Sequence, residues 1–170
     1  MAELTSAALP AARPDDHIRG PHDAPLLIFY ADFTCVRCAV AAQMLEVAPV
    51  RVAYRHLVLR SRGPRVAALA CAAEAAALQN AFWPFHDGLF ADQGRQDDPH
   101  LWTRCETLGL DVERFDHDRR SSAVADRVAS QTREALRGGA VATPTVVLPG
   151  GEIAHGGLDE AVAAVSGGLV

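Results

Sequence analysis

Apolar positions change their period three times along this chain. Residues 26–30 read LLIFY, a short run with no polar break. That is the pattern of a strand buried on both faces, in the middle of a sheet covered by helices. Asp32, Phe33 and Thr34 then turn the chain, and CVRCAVAAQMLEV continues as a helix that ends before Pro49. Thr34 is its expected N-cap and Cys35 its first helical residue. In residues 50–59 (VRVAYRHLVL), Val50, Val52 and Tyr54 alternate with Arg51, Ala53 and Arg55, which predicts a second strand. From Arg60 to Gly138 the signals are helical. Residues 65–79 are Ala-rich, AFWPFHDGLFADQ turns helical from Pro84, and a further segment puts Leu101, Cys105 and Leu108 on one face. Asp111 caps DVERFDHD, and a long helix over 121–137 stops at Gly138-Gly139. The period then returns to strand: TVVL at 145–148, a Pro-Gly-Gly turn at 149–151, and EIAH at 152–155 as the hairpin partner. LDEAVAAV supplies a closing helix.

The order β-α-β, helical block, β-β-α describes one compact α/β fold with a helical block set into it. The length of 170 residues suits a single domain. Residues 1–22 are polar and carry Pro10, Pro14, Gly20 and Pro21, so they are expected to form an arm. Composition is that of an ordinary globular protein, 49% hydrophobic and 22% charged. All 16 basic residues are arginine, and the net charge is −5. No basic cluster gives a nucleic-acid partner an electrostatic footprint. The N-terminus has no basic start followed by an apolar h-region, and no stretch of about 18 apolar residues occurs. Both points favour a cytoplasmic chain with no membrane partner.

Chemistry enters with the cysteines. Four are present, Cys35, Cys38, Cys71 and Cys105, too few to staple a domain of this length. The spacing of Cys35 and Cys38 serves a redox disulfide, half of a zinc site or a structural pair. With Cys35 at the first helical position, Cys38 lies on the same face, within disulfide reach. The first-turn N–H groups and the helix dipole favour a thiolate there; such settings lower a cysteine pKa from about 8.5 to roughly 3.5–7.5. Cys35 is then the exposed nucleophile, and Cys38, a turn deeper, resolves the mixed disulfide. Arg37 stands in the same first turn, where a cation opposes the dipole unless Cys35 carries a negative charge. Its two readings are a solvated side chain and a permanent charge that stabilises reduced Cys35. A structural zinc site takes four ligands. Cys71 and Cys105 are single cysteines within helices, and Asp15, Asp16, His17 and His22 read as a solvated arm.

A second signal is Thr143-Pro144-Thr145, just before a strand. An X-Pro bond at such a place can be cis, and the loop leaves a backbone edge free to pair with an extended peptide beside the sulfur.

Taken together, these features resemble the thioredoxin fold, and within it the DsbA-like thiol–disulfide oxidoreductases. The carriers are DHIRGPHDAPLLIFYADFTCVRC, YRHLVL, AALACAAEAAALQNAFWPFHDGLF, LGLDVERF and VATPTVVLPGGEIAHGG, from Asp16 to Leu158. The resemblance implies a thioredoxin-like α/β core (23–61 and 139–170), an inserted all-helical subdomain (62–138) and the arm (1–22). It implies Cys35 as nucleophile, Cys38 as resolving thiol, Pro144 as a cis-proline and Thr143 as the residue before it that contacts substrate backbone. Val36 and Arg37 occupy the dipeptide that tunes potential. No metal or organic cofactor is called for, and the partner is a thiol- or disulfide-containing protein or a low-molecular-weight thiol. One departure stands out: many relatives carry a buried acid six residues before the first cysteine, and here that residue is Phe29. Asp32, three residues before Cys35, is the nearest carboxylate. It has two readings, a turn-forming hydrogen bond and a proton-transfer role.

The remaining polar and aromatic residues read as structure. His86 and His56 are expected to pack, Phe82, Trp83, Phe85 and Phe90 to fill the core, and Cys71 and Cys105 to act as small buried hydrophobes. Against the enzyme reading stands a redox-sensing or partner-binding module with slow turnover, favoured by Phe29. Glutathione-transferase-like isomerases usually lack an intact CxxC. The family resemblance and Arg37 lean toward an oxidant, and the absence of a leader toward a cytosolic reductant, isomerase or peroxide-linked role.

Overall fold

A computed structural model of the chain describes residues 8–154, 158–159 and 162–163. The closing helix expected over LDEAVAAV falls largely outside them. Four strands, β1 (His17–Arg19), β2 (Leu26–Ala31), β3 (Arg51–His56) and β4 (Thr145–Val147), form one mixed sheet in the order β1-β3-β2-β4. β2 runs parallel to β3, in register from Leu26 opposite Arg51 to Ala31 opposite His56. It is antiparallel to β4, with Phe29 opposite Val146. LLIFY therefore occupies the interior of the sheet, where a strand must be apolar on both faces. The helix α1 (Val36–Val47) makes the crossover between β2 and β3.

Two corrections concern the front of the chain. Residues 1–22 are not simply a solvated arm, because β1 pairs antiparallel with β3, Ile18 opposite Ala53. Gly20 ends that strand at φ +111°, with Val50 and Arg51 backbone so close that no Cβ fits. The second strand is shorter than expected, and it does not alternate between buried and exposed: Val52 to His56 are all buried. The exception to polar-out is Arg55, which is fully buried. Its five N–H donors are all matched. Nε and Nη2 hold the two Asp16 oxygens at 2.9 and 2.8 Å, Nη1 reaches Pro10 O and the Tyr30 hydroxyl, and Nη2 also reaches Ala11 O. Residues 10–16 are thereby clamped to the sheet.

Between β3 and β4 come a 3₁₀ turn (Arg60–Arg62) and five helices: α2 (Pro64–Ala77), α3 (Phe82–Ala91), α4 (Asp98–Thr107), α5 (Val112–Asp118) and α6 (Ser122–Arg137). Asp97, Asp111 and Ser121 cap α4, α5 and α6 by accepting the N–H three residues on. α3 begins at Phe82, two residues ahead of Pro84, which fits inside its first turn. One sheet face, with Leu27, Phe29, Val52 and Tyr54, packs on α1 and on Leu69, Phe85, Leu89, Leu101 and Phe115 of the helical block. The other, with Ile28, Tyr30 and Ala53, packs on Leu9, Ala135 and Ala140. The expected hairpin after β4 contracts to one bridge, Val147 with Ile153, flanked by Leu148 N donating to Glu152 O at 2.9 Å.

Candidate active site

β2 delivers the chain to the site at Ala31. Asp32 then builds the turn: its Oδ1 accepts from Thr34 N at 2.8 Å and from Thr34 Oγ1 at 2.6 Å. Thr34's hydroxyl is spent there, so it does not cap α1, contrary to the sequence expectation. The N-cap is Cys35 itself, with extended backbone (φ −86°, ψ 113°) and its Sγ accepting from Cys38 N at 3.3 Å. The nucleophile candidate thus meets the helix's orphan N–H groups directly rather than from the first turn. Arg37 moves with it to the second helical position.

A second correction concerns exposure. Cys35 is buried, at 2% exposed, and Cys38 at 0%. The loop before β4 covers them, where the Thr143-Pro144 peptide is cis. The Cys35 thiol donates to Thr143 O at 3.6 Å, and Arg37 Nη2 donates to the same carbonyl at 3.4 Å. Val36 points outward. Thr143 Oγ1 donates to Asp32 Oδ2 at 3.0 Å, so one carboxylate ties the turn before α1 to the proline loop. Asp32 is buried, and Arg62 Nε faces its Oδ2 at 3.5 Å.

Burial pushes the Cys38 thiol far up, and its hydrogen bond with Cys35 adds to this. The Asp32 backbone N–H and the Thr143 side chain pull the other way. Burial also raises Cys71, and raises Cys105 to about 11; both are free thiols within the helical block.

Sequence reasoning missed three residues at this site. Gln93 Nε2 donates to Phe33 O (2.8 Å) and Cys35 O (3.2 Å), and Gln96 Nε2 donates to Phe33 O (2.8 Å) and Leu89 O (3.1 Å). They fix the cysteine turn from the α3–α4 connection. Arg62 is the third. No periodicity marks a polar loop residue, so the sequence carried no signal for them.

Phe29 is buried, edge-on to Tyr54 with ring centroids 5.8 Å apart, so the position six residues before Cys35 is wholly apolar. His86 lies at 1% exposure among Phe33, Tyr54, Trp83 and Phe90. His56 Nε2 meets Glu74 Oε1 at 2.9 Å, as does His17 at 3.0 Å. The arm residues considered as zinc ligands separate: Asp15 pairs with Arg127, Asp16 with Arg55, His17 with Glu74 and His22 with Asp23. Among the described residues no group of three or more such side chains could hold a metal ion, and no helix is long and apolar enough to cross a membrane.

A buried sulfur pair at a helix N-terminus, facing a cis-proline loop, with a helical block between β3 and β4, defines a thioredoxin-like architecture of the DsbA type. The chain belongs to the DSBA-like thioredoxin domain family, whose match covers residues 56–164. Among solved structures it is similar in fold to the thiol-disulfide exchange protein alpha-DsbA2 from Wolbachia pipientis, with TM-score 0.75, 14% identity, and coverage of 91% of this chain and 87% of that one. A thioredoxin-like oxidoreductase from Silicibacter pomeroyi matches with TM-score 0.75, 23% identity, and coverage of 91% and 94%. Curated relatives include a Na(+)/H(+) antiporter NhaA of Herminiimonas arsenicoxydans, 41% identical over 157 residues, which are 88% of this chain and 25% of that protein. A second, NhaA 3 of Salinispora tropica, is 38% identical over 141 residues, 79% of this chain and 22% of that one. The chain thus spans about a quarter of the length of these curated relatives.

Proposed function

We propose that this domain is a thiol–disulfide oxidoreductase working through Cys35 and Cys38 on thiol- or disulfide-containing proteins or low-molecular-weight thiols. The observation that carries the reading is the Cys35 sulfur at the N-cap of α1, accepting the Cys38 N–H and lying against the carbonyl that precedes a cis-proline. In the reducing direction the Cys35 thiolate attacks one sulfur of the substrate disulfide and expels the other as a thiolate. Cys38, as thiolate, then attacks Cys35 Sγ, closing the Cys35–Cys38 bond and releasing the second substrate sulfur. The oxidising direction is the reverse. Val36 and Arg37 tune the couple, and Thr143 and Pro144 offer backbone to an extended substrate segment. The chemistry asks for no metal or organic cofactor.

Insulin-disulfide reduction compared between the wild type and Cys35→Ser tests this directly. The variant loses the activity; equal rates would sink the proposal. A redox titration against glutathione then sets the direction: about −120 mV marks an oxidant and about −270 mV a reductant.

A redox-sensing module is the second reading, supported by Phe29 and by curated relatives about four times as long that carry a transporter's name. It predicts a wild type that forms the Cys35–Cys38 disulfide stoichiometrically yet turns insulin over no faster than a free dithiol.

A further inference from the structure

Two arginines converge on Thr143, the residue that covers the sulfurs. Arg37 is exposed at the second helical position of α1, and its Nη2 donates to Thr143 O at 3.4 Å. Arg62 reaches Thr143 through a carboxylate: its Nε lies 3.5 Å from Asp32 Oδ2, which accepts from Thr143 Oγ1 at 3.0 Å. Arg60, also exposed, belongs to the same 3₁₀ turn as Arg62.

Little negative charge answers them. Asp32 is buried and already accepts from Thr34 N and Thr34 Oγ1. Arg37 and Arg60 meet no carboxylate among the described residues. The α3–α4 connection that grips the cysteine turn contributes the amides Gln93 and Gln96, and its Asp92 and Asp97 face Arg95 and His100. The rim beside Cys35 is therefore positive in a chain whose net charge is −5. Charges farther than about 8–10 Å away are screened at ordinary ionic strength, so the rim and not the net charge meets a docking segment. Arg37 is also out of place by itself, because a cation in the first turn opposes the helix dipole. It uses one of its five N–H donors on a neutral carbonyl, and a guanidinium fork fits a carboxylate better.

We propose that Arg37 and Arg62 select substrates by charge: the segment that pairs with the Thr143 backbone carries carboxylate side chains next to its cysteine, and the two guanidinium groups receive them. This rests on the disulfide-exchange reading above and names its substrate class. As the segment takes the Thr143 carbonyl, Arg37 exchanges a neutral acceptor for a charged one.

The test uses short peptides with blocked termini whose central cysteine is flanked on both sides by Glu, by Gln or by Lys. Each carries a 2-thiopyridyl group on its sulfur. The Cys35 thiolate of the reduced protein attacks the peptide sulfur, forms the mixed disulfide and expels thiopyridone, whose absorbance gives a second-order rate constant. Dividing by the constant for 2-mercaptoethanol with the same peptide removes the peptide's own reactivity. An exposed ion pair is worth roughly 1.5- to 5-fold, so two make the Glu peptide about 3- to 10-fold faster than the Gln peptide, with the Lys peptide slower than both. The preference shrinks toward unity in about 1 M salt. Arg37→Gln and Arg62→Gln each reduce the Glu-to-Gln ratio by about 1.5- to 5-fold, and the double variant brings it to about one. The double variant also raises the Lys-to-Gln ratio, a gain that misfolding does not produce. Tuning of the Cys35 thiolate alone would change all three rates together and leave both ratios as they were. That result, or a wild type with no preference for Glu over Gln, overturns the proposal. A wild type no faster than 2-mercaptoethanol toward any of the peptides overturns the exchange reading instead.

Discussion

His86 gives the domain an acid limb of stability that can be worked out from its surroundings. The ring is buried between Phe33, Tyr54, Trp83 and Phe90, with Nδ1 2.8 Å from Asp87 Oδ1. Among the described residues Nε2 is buried with no hydrogen-bond partner. Burial pushes the ring's pKa down from 6.5 to about 4, outweighing the pull of the Asp87 carboxylate. Between those pH values the unfolded chain binds a proton that the folded chain refuses. Stability therefore falls as pH drops through 6.5 toward 4. The displacement corresponds to about 3 kcal/mol, a large share of the roughly 5–15 kcal/mol that holds a domain folded. Urea melts of the wild type and His86→Phe at pH values from about 7 down to 4 isolate this contribution. Phenylalanine suits an aromatic cage and removes the orphan nitrogen, while Asp87 keeps both of its hydrogen bonds from Arg19. His56, also lowered by burial, remains in both proteins, so its contribution cancels in the difference. The stability difference shifts by about 3 kcal/mol in favour of the variant between neutral pH and pH 4. Two parallel curves separated by a constant offset would refute the reasoning.

Two further outcomes follow from buried or exposed charge. Asp16→Ala strips the carboxylate from fully buried Arg55 and costs about 3–5 kcal/mol, lowering Tm by roughly 6–20 °C in a scan at neutral pH. A loss below about 1 kcal/mol would mean that the arm, not the ion pair, carries the contact. Arg37→Gln removes the cation beside Cys35 and makes the couple more reducing by about 10–20 mV in a glutathione titration, a shift that shrinks in high salt. An unchanged or more oxidising potential counts against a tuning role for Arg37.

Much of this was legible in the chain, and the misses have physical causes. LLIFY announced a central strand because nothing else tolerates five apolar residues in a row there. The cysteine spacing and Thr143-Pro144-Thr145 pointed to a sulfur pair facing a proline loop, and the structure brings the two together. Arg55 was not legible. An arginine alternating with Val52 and Tyr54 looks like the wet face of a half-buried strand, and the carboxylate that allows its burial lies 39 residues earlier in the chain. The cap of α1 was missed for a similar reason. Thr34 is a good N-cap by type, but Asp32 two residues before it takes the hydroxyl first. Gln93 and Gln96 act through side-chain amides on backbone carbonyls, a contact that leaves no period in sequence.

Thr143 joins what the sequence showed to what it did not. Its carbonyl receives both the Cys35 thiol and Arg37, its hydroxyl binds Asp32, and its peptide to Pro144 forms the loop that buries the sulfurs. If the proposed function holds, an extended substrate that pairs with this backbone takes the carbonyl from Cys35 and Arg37. The thiol is a weak donor and the Arg37 contact is long at 3.4 Å, so displacing them costs little. The same event frees the Cys35 sulfur from its acceptor and turns the Arg37 charge loose beside it. On the proposed exchange reading, substrate docking and exposure of the Cys35 sulfur are one step, whereas the buried Asp32 hydrogen bond, at 3.0 Å, keeps the proline loop tied to the cysteine turn.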